Sequence, residues 1–99
     1  MKLIFDSALA TERSFIINDF YEDINADGAT LNAVYHCSVD AETIFPDYAG
    51  LETLQFISVE IVNEENIVIP QNHAYTKIQN ISVTYNDKSK VYPVNIILN

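Results

Sequence analysis

Asp23-Ile24-Asn25-Ala26-Asp27-Gly28 has the D-x-N-x-D-G order of the first half of a calcium-binding loop. In such a loop oxygens at positions 1, 3 and 5 face the ion and glycine makes the sharp turn between them. Asp23, Asn25 and Asp27 would be the ligands. The twelfth position should supply a bidentate glutamate, and here it is Val34. Without that ligand the same residues read more simply as a stop and a turn, for which Asn, Asp and Gly are favoured on conformational grounds. A weak calcium-binding module is therefore a third reading.

His36 and Cys37 place a base beside a nucleophile, but neighbours on a strand point to opposite faces and cannot pair with each other. Cys37 shares the apolar alternation of Tyr35 and Val39, the pattern of a small core residue. His73 has no acid tied to it by any motif, and two histidines with one cysteine are too few for a usual zinc site. Glu64-Glu65 is the obvious carboxylate pair for acid and base work, yet an exposed turn offers nothing apolar to separate their titrations. With only Gly28 and Gly50 there is no glycine-rich phosphate loop. These residues predict a protein that is not an enzyme, with no cofactor and no metal.

The charge distribution is more informative. From Ser14 to Thr76 there is no lysine or arginine, while the same stretch holds Asp19, Glu22, Asp23, Asp27, Asp40, Glu42, Asp47, Glu52, Glu60, Glu64 and Glu65. The five cations, Lys2, Arg13, Lys77, Lys88 and Lys90, stand at the two ends, and the formal net charge is -9. Abundant Ile, Asn and Tyr suggest an A- and T-rich genome, which would have supplied A-rich lysine codons freely, so the gap points to selection. Phosphate contacts need clustered Lys and Arg, so direct nucleic-acid binding is disfavoured. A field of this sign instead attracts a basic protein surface.

Ninety-nine residues, 48% hydrophobic, predict a single globular domain over 1–99. The apolar start Leu3-Ile4-Phe5 is broken at once by Asp6, no run approaches the roughly 20 apolar residues of a membrane span, and one cysteine suits a reducing compartment. A soluble, cytoplasmic protein is expected.

Residues 2–6 read as a short strand. Ile17, Phe20, Tyr21 and Ile24 then stand at i, i+3, i+4 and i+7, with Asn18, Asp19, Glu22 and Asp23 opposite, which predicts an amphipathic helix capped by Ser7 or Thr11 and closed at Gly28. Acids in its last turn oppose the helix dipole. Leu31 to Val39 alternates as a strand, a loop follows around Pro46 and Gly50, and two Asn-led turns at 63–66 and 86–90 join hairpins. Pro93 marks its strand as an edge. The expected fold is α+β, one amphipathic helix packed on a mainly antiparallel sheet of five to six strands.

On that fold the leading functional expectation is a non-catalytic acidic binding protein that docks on a basic partner, with Asp19, Glu22, Asp23 and Asp27 on the helix and its closing turn, and Glu64 and Glu65 in a hairpin tip. A small viral or phage-type inhibitor that mimics nucleic acid is one such protein, its partner a nucleic-acid-binding enzyme. The alternative is a structural subunit, for example of a phage particle, that self-assembles through β edges and opposite charge poles.

Overall fold

In the computed structural model the described residues are 1–27, 30–44, 55–71, 75 and 77–99, with backbone alone at 25–27, 30, 31, 43 and 44. Valine, isoleucine and aromatic residues at every second position make strands here, because branched and ring side chains suit a pleated, half-buried surface. The elements are β1 (Lys2–Phe5), β2 (Arg13–Ile16), β3 (Asn18–Asp27), β4 (Thr30–Asp40), one helical turn α1 (Ala41–Ile44), β5 (Val59–Val62), β6 (Ile78–Val83) and β7 (Val91–Leu98). They form two antiparallel sheets, β2-β1-β5 and β3-β4-β7-β6. One apolar layer lies between them. Leu3, Phe5, Phe15, Val59 and Ile61 enter it from the first sheet, and Tyr35, Val39, Tyr92, Val94, Ile96 and Leu98 from the second.

The expected helix is absent, and the α+β assignment is corrected to a β-sandwich. Residues 13–16 pair with β1 in the first sheet, the chain crosses at Ile17, and residues 18–27 pair with β4 in the second. A bulge explains the false periodicity. The β3–β4 register shifts between Asn18 and Tyr21, where Asp19 has φ 56°, a left-handed conformation that aspartate tolerates. One extra residue lets Ile17 and Phe20, three apart, both turn toward the core, whereas an unbroken strand would send them to opposite faces. That spacing imitates a helical turn. Asn18, Asp19, Asp23 and Asn25 are also poor helix formers, and β4 offers Asn18, Asp23 and Asn25 ladder partners. The expected helix stop at Gly28, the loop around Pro46 and Gly50, and His73 lie outside the described residues.

The Asn-led turns stand where their chemistry placed them. Asn63 Oδ1 accepts from the N–H groups of Glu65 at 2.9 Å and Ile67 at 3.0 Å, and Asn66 takes φ 61°. Asn86 Oδ1 likewise accepts from Lys88 and Ser89, both at 3.2 Å. Pro93, expected at an edge, lies instead on β7 between β4 and β6. Thr84 N–H donates to Pro93 O at 2.9 Å, so the donor that proline lacks would have faced Thr84, just beyond the last β6 pair at Val83↔Val94. The ladder ends where the proline cannot extend it.

Asp6 closes the first sheet. Its side chain is buried, Oδ1 accepts from the N–H of Ile57 at 2.8 Å and of Ser58 at 3.0 Å, and Oδ2 accepts the Thr11 hydroxyl at 2.6 Å. One carboxylate thereby fixes both segments that flank β1. Burial pushes its carboxyl pKa up, but Thr11 and the two N–H groups outweigh burial and hold it below the ordinary 3.8. A group depressed in the folded state contributes stability above its unfolded pKa and loses it as pH falls through the folded value. Asp6→Ala should therefore lower stability at pH 7 by roughly 3 kcal/mol. In denaturant titrations from pH 7 to pH 2, the gap between the two proteins should narrow below pH 3.8. A gap of constant size would show that the charge contributes nothing.

Candidate partner-docking edge

Asp19, Glu22, Asp23 and Asp27 all lie on β3, an outer strand of the second sheet that pairs only with β4 among the described residues. A strand in that position presents a row of backbone N–H and C=O groups outward. Alternation puts Glu22 and Asp23 on opposite faces, which a helix would have kept together. Asp19, at the bulge, and Asp23 are exposed. Glu22 pairs in register with Tyr35, whose side chain is in the core, so Glu22 turns inward. Asp27, opposite Thr30, is the last residue of the strand.

The outer face carries a small polar cluster. His36 of β4 lies between Asp23 and Asn95, with Nε2 at 3.0 Å from Asp23 Oδ2 and Nδ1 at 2.6 Å from Asn95 Oδ1. Tyr21 stacks on the imidazole at 4.5 Å and 15°. The ring is thus held from three sides, one strand in from the edge. Its neighbour Ser38 donates to Asn18 O at 3.5 Å.

The inner face is different in character. Phe20 meets Tyr35 edge to face at 5.3 Å, and Glu22 lies beside the pair, half-buried. Its Oε2 is buried without a hydrogen-bond partner among the described residues. Burial raises the Tyr35 hydroxyl pKa far above the usual tyrosine value, and the Glu22 carboxylate raises it further, followed by Tyr75, while Gln71 partly opposes them. Tyr75 itself is tied to β5, accepting from Val59 N–H at 2.8 Å and donating to Val59 O at 2.6 Å.

Glu64 and Glu65 sit elsewhere, in the exposed turn after β5 of the first sheet. The Met1 amino group donates to Glu64 Oε1 at 3.3 Å. Its carboxyl pKa is lowered, first by its own backbone N–H and then by that amino group. The sheet topology therefore separates the six acids into an edge group on β3 and a hairpin-tip group after β5.

Asp23, Asn25 and Asp27, the ligands of the calcium reading, occupy alternate positions of an extended strand, about 7 Å apart in succession, and Gly28 lies outside the described residues. No group of three or more His, Cys, Asp or Glu among the described residues is placed to hold a metal. Among the same residues no helix is long and apolar enough to cross a membrane. Comparison with protein-family models, with curated proteins and with solved structures found no match.

Sequence reasoning missed the inward turn of Glu22 and the stack of Tyr21 on His36. The only signal for either was the strand alternation of Leu31 to Val39, which required a partner strand of matching length. Cys37 is buried, with its thiol pKa pushed up to about 12 by burial. A neutral, enclosed thiol is a poor nucleophile. Iodoacetamide at pH 8 should leave the folded protein unmodified over a time that fully labels it in denaturant, as followed by intact mass.

Proposed function

We propose that this chain is a non-catalytic acidic binding module whose edge strand β3 docks a basic, extended segment of a partner protein. The observation that supports it most is the coincidence of two features on one strand. β3 has an outward backbone edge, and it carries Asp19 and Asp23 exposed beside exposed Tyr21 and Ile24. An extended peptide added to a sheet edge gains main-chain hydrogen bonds, and alternate side chains set its specificity. Carboxylates along that edge favour Lys and Arg and oppose an acidic strand. A nucleic-acid-binding enzyme with a basic groove is one partner of that chemistry, and a phage-type inhibitor is one biological setting for it.

A hexapeptide alternating Lys and Val provides the test. In NMR titrations it should shift the β3 amides from Asn18 to Ile24, and affinity should fall several-fold between 50 and 300 mM salt as the charges are screened. The double variant Asp19→Lys, Asp23→Lys should bind at least tenfold more weakly and lose most of that salt dependence. Unchanged binding in the variant would remove the proposal.

A second reading, the self-assembling subunit, is favoured by the arrangement of the second sheet. Its four strands are all antiparallel, so translating a copy sideways sets β6 of one molecule antiparallel to β3 of the next. β6 has no carboxylate and is preceded by Lys77, whereas β3 against β3 would oppose acid to acid. Light scattering across a hundredfold concentration range separates the readings. A mass that rises with concentration and returns to monomer on Asp19→Lys, Asp23→Lys supports the subunit, and a constant monomer mass supports the edge-docking module.

A further inference from the structure

The stretch from Ser14 to Thr76, without lysine or arginine, holds two histidines, His36 and His73, the only side chains in it that can become positive. His36 stands on the outer face of the second sheet, one strand in from the β3 edge. Its two ring nitrogens face two oxygens, Nε2 at 3.0 Å from Asp23 Oδ2 and Nδ1 at 2.6 Å from Asn95 Oδ1. A protonated ring donates to both at once. A neutral ring carries one N–H and donates to one of them, so the Asn95 amide must turn its NH2 toward the ring for the other contact to survive. The side chain is 26% exposed, so water can deliver the proton.

The surroundings tie that proton to Asp23. Tyr21, exposed on β3, lies nearly parallel to the imidazole at 4.5 Å, and the face of a tyrosine ring attracts a cation. Glu22 turns to the other face of the sheet. On the far side of His36, β7 has no Asp, Glu, Lys, Arg or His, and its Tyr92 is in the core. β6 beyond it has no ionisable side chain. The next carboxylate along β4 is Asp40 at its end, held by the Asn18 amide at 3.3 Å, and along β3 it is Asp19 at the bulge. Among the described residues Asp23 is thus the charged side chain in contact with the ring.

We infer that His36 is a proton switch on the β3 edge, weakening the docking of a basic segment when its ring takes up a proton. The inference rests on the edge-docking reading for what is switched. With the ring neutral, Asp23 presents a full negative charge to a lysine or arginine of the partner. With the ring protonated, that charge is compensated at 3.0 Å, and the partner's cation meets a neutral pair. Histidine is the side chain whose charge changes between pH 5 and 8, a range in which ordinary carboxylates stay ionised and lysines stay charged. Acid releases the partner and neutral pH admits it.

Two measurements test the switch separately from the edge. The Lys-Val hexapeptide, acetylated and amidated so that its ends do not titrate, is bound at pH 7.5 and at pH 5.5 in the same salt. Affinity for the wild type should fall about fivefold on acidification, the weight of one contact between unit charges in water. His36→Gln, whose amide can still donate to Asp23, should match the wild type at pH 7.5 and bind equally well at both pH values. A wild-type affinity that does not fall, with the β3 amide shifts retained, would overturn the switch and leave the edge reading standing. An equal fall in His36→Gln would place the titrating group elsewhere, His73 included, and overturn the switch too. Absence of β3 shifts at either pH would overturn the edge reading and the switch with it.

The second measurement needs no variant of the protein. Linkage is reciprocal, so a proton that weakens the peptide about fivefold is itself weakened about fivefold by the peptide. The carbon-bound ring protons of His36 should therefore titrate at a pH about 0.7 lower in saturating peptide than in its absence. A titration at the same pH with and without bound peptide would overturn the switch on its own.

Discussion

Eight consecutive residues of β4, Ala33 to Asp40, pair with eight of β7, Leu98 to Val91, and every second side chain along both strands is driven into the space between the sheets. Ala33, Tyr35, Cys37 and Val39 from one strand, and Tyr92, Val94, Ile96 and Leu98 from the other, are all buried. At about 25 cal/mol per Å² of apolar surface, burial on that scale is the dominant favourable term of the fold. The flanking strands take their places from this ladder. Once β4 and β7 hold the centre of the second sheet, β3 and β6 can only be its outer strands. The outward edges of β3 and β6 both follow from this ladder.

Because side chains alternate along β3, residue parity decides which acids can act together. Glu22 and Asp23 are adjacent in sequence and reach opposite faces, one against Tyr35 and the other against His36. On a helix the same pair would lie on one exposed side, and the sequence carried enough helical spacing to suggest it. A bulge at Asp19 absorbed one residue and let Ile17 and Phe20, at helical spacing, both face the core. Bulges leave no composition signal beyond a residue that tolerates positive φ, and Asp19 was one acid among many. β4 was legible from its unbroken alternation, and the two tight turns from their leading asparagines. β7 was legible as a strand, but its central position was obscured by Pro93. A missing donor matters only where a neighbour would have accepted from it, and that neighbour's geometry is not written in the local sequence.

The first sheet depends on a different kind of interaction. β1 is four residues long and β5 is also four, too short for ladder hydrogen bonds alone to fix their ends. Asp6 supplies the missing constraint. Its φ of 51° turns the chain out of β1, and its carboxylate ties Thr11 on one side to Ile57 and Ser58 on the other. Phe56, next in line, stacks on Phe5 at 4.3 Å and 13°, so the polar clamp and the aromatic contact enforce the same approach of chain segments. Nothing in the sequence marked Asp6 as structural. Read locally it was only the charge that ended an apolar start.

The acids of this protein differ in what they require of an explanation. Asp19, Asp23, Glu64 and Glu65 are exposed, where a carboxylate stays hydrated and carries little penalty; solubility and suppression of edge-to-edge pairing would be enough to keep them. Glu22 serves neither purpose. Turned toward Phe20 and Tyr35, it adds little to the outer field, and its Oε2 is enclosed without a hydrogen-bond donor among the described residues. An enclosed carboxylate oxygen without a donor costs free energy that a packed apolar residue would not. Among the carboxylates of the cation-free stretch whose side chains the structure describes, Glu22 is therefore the one least favourable for the isolated fold.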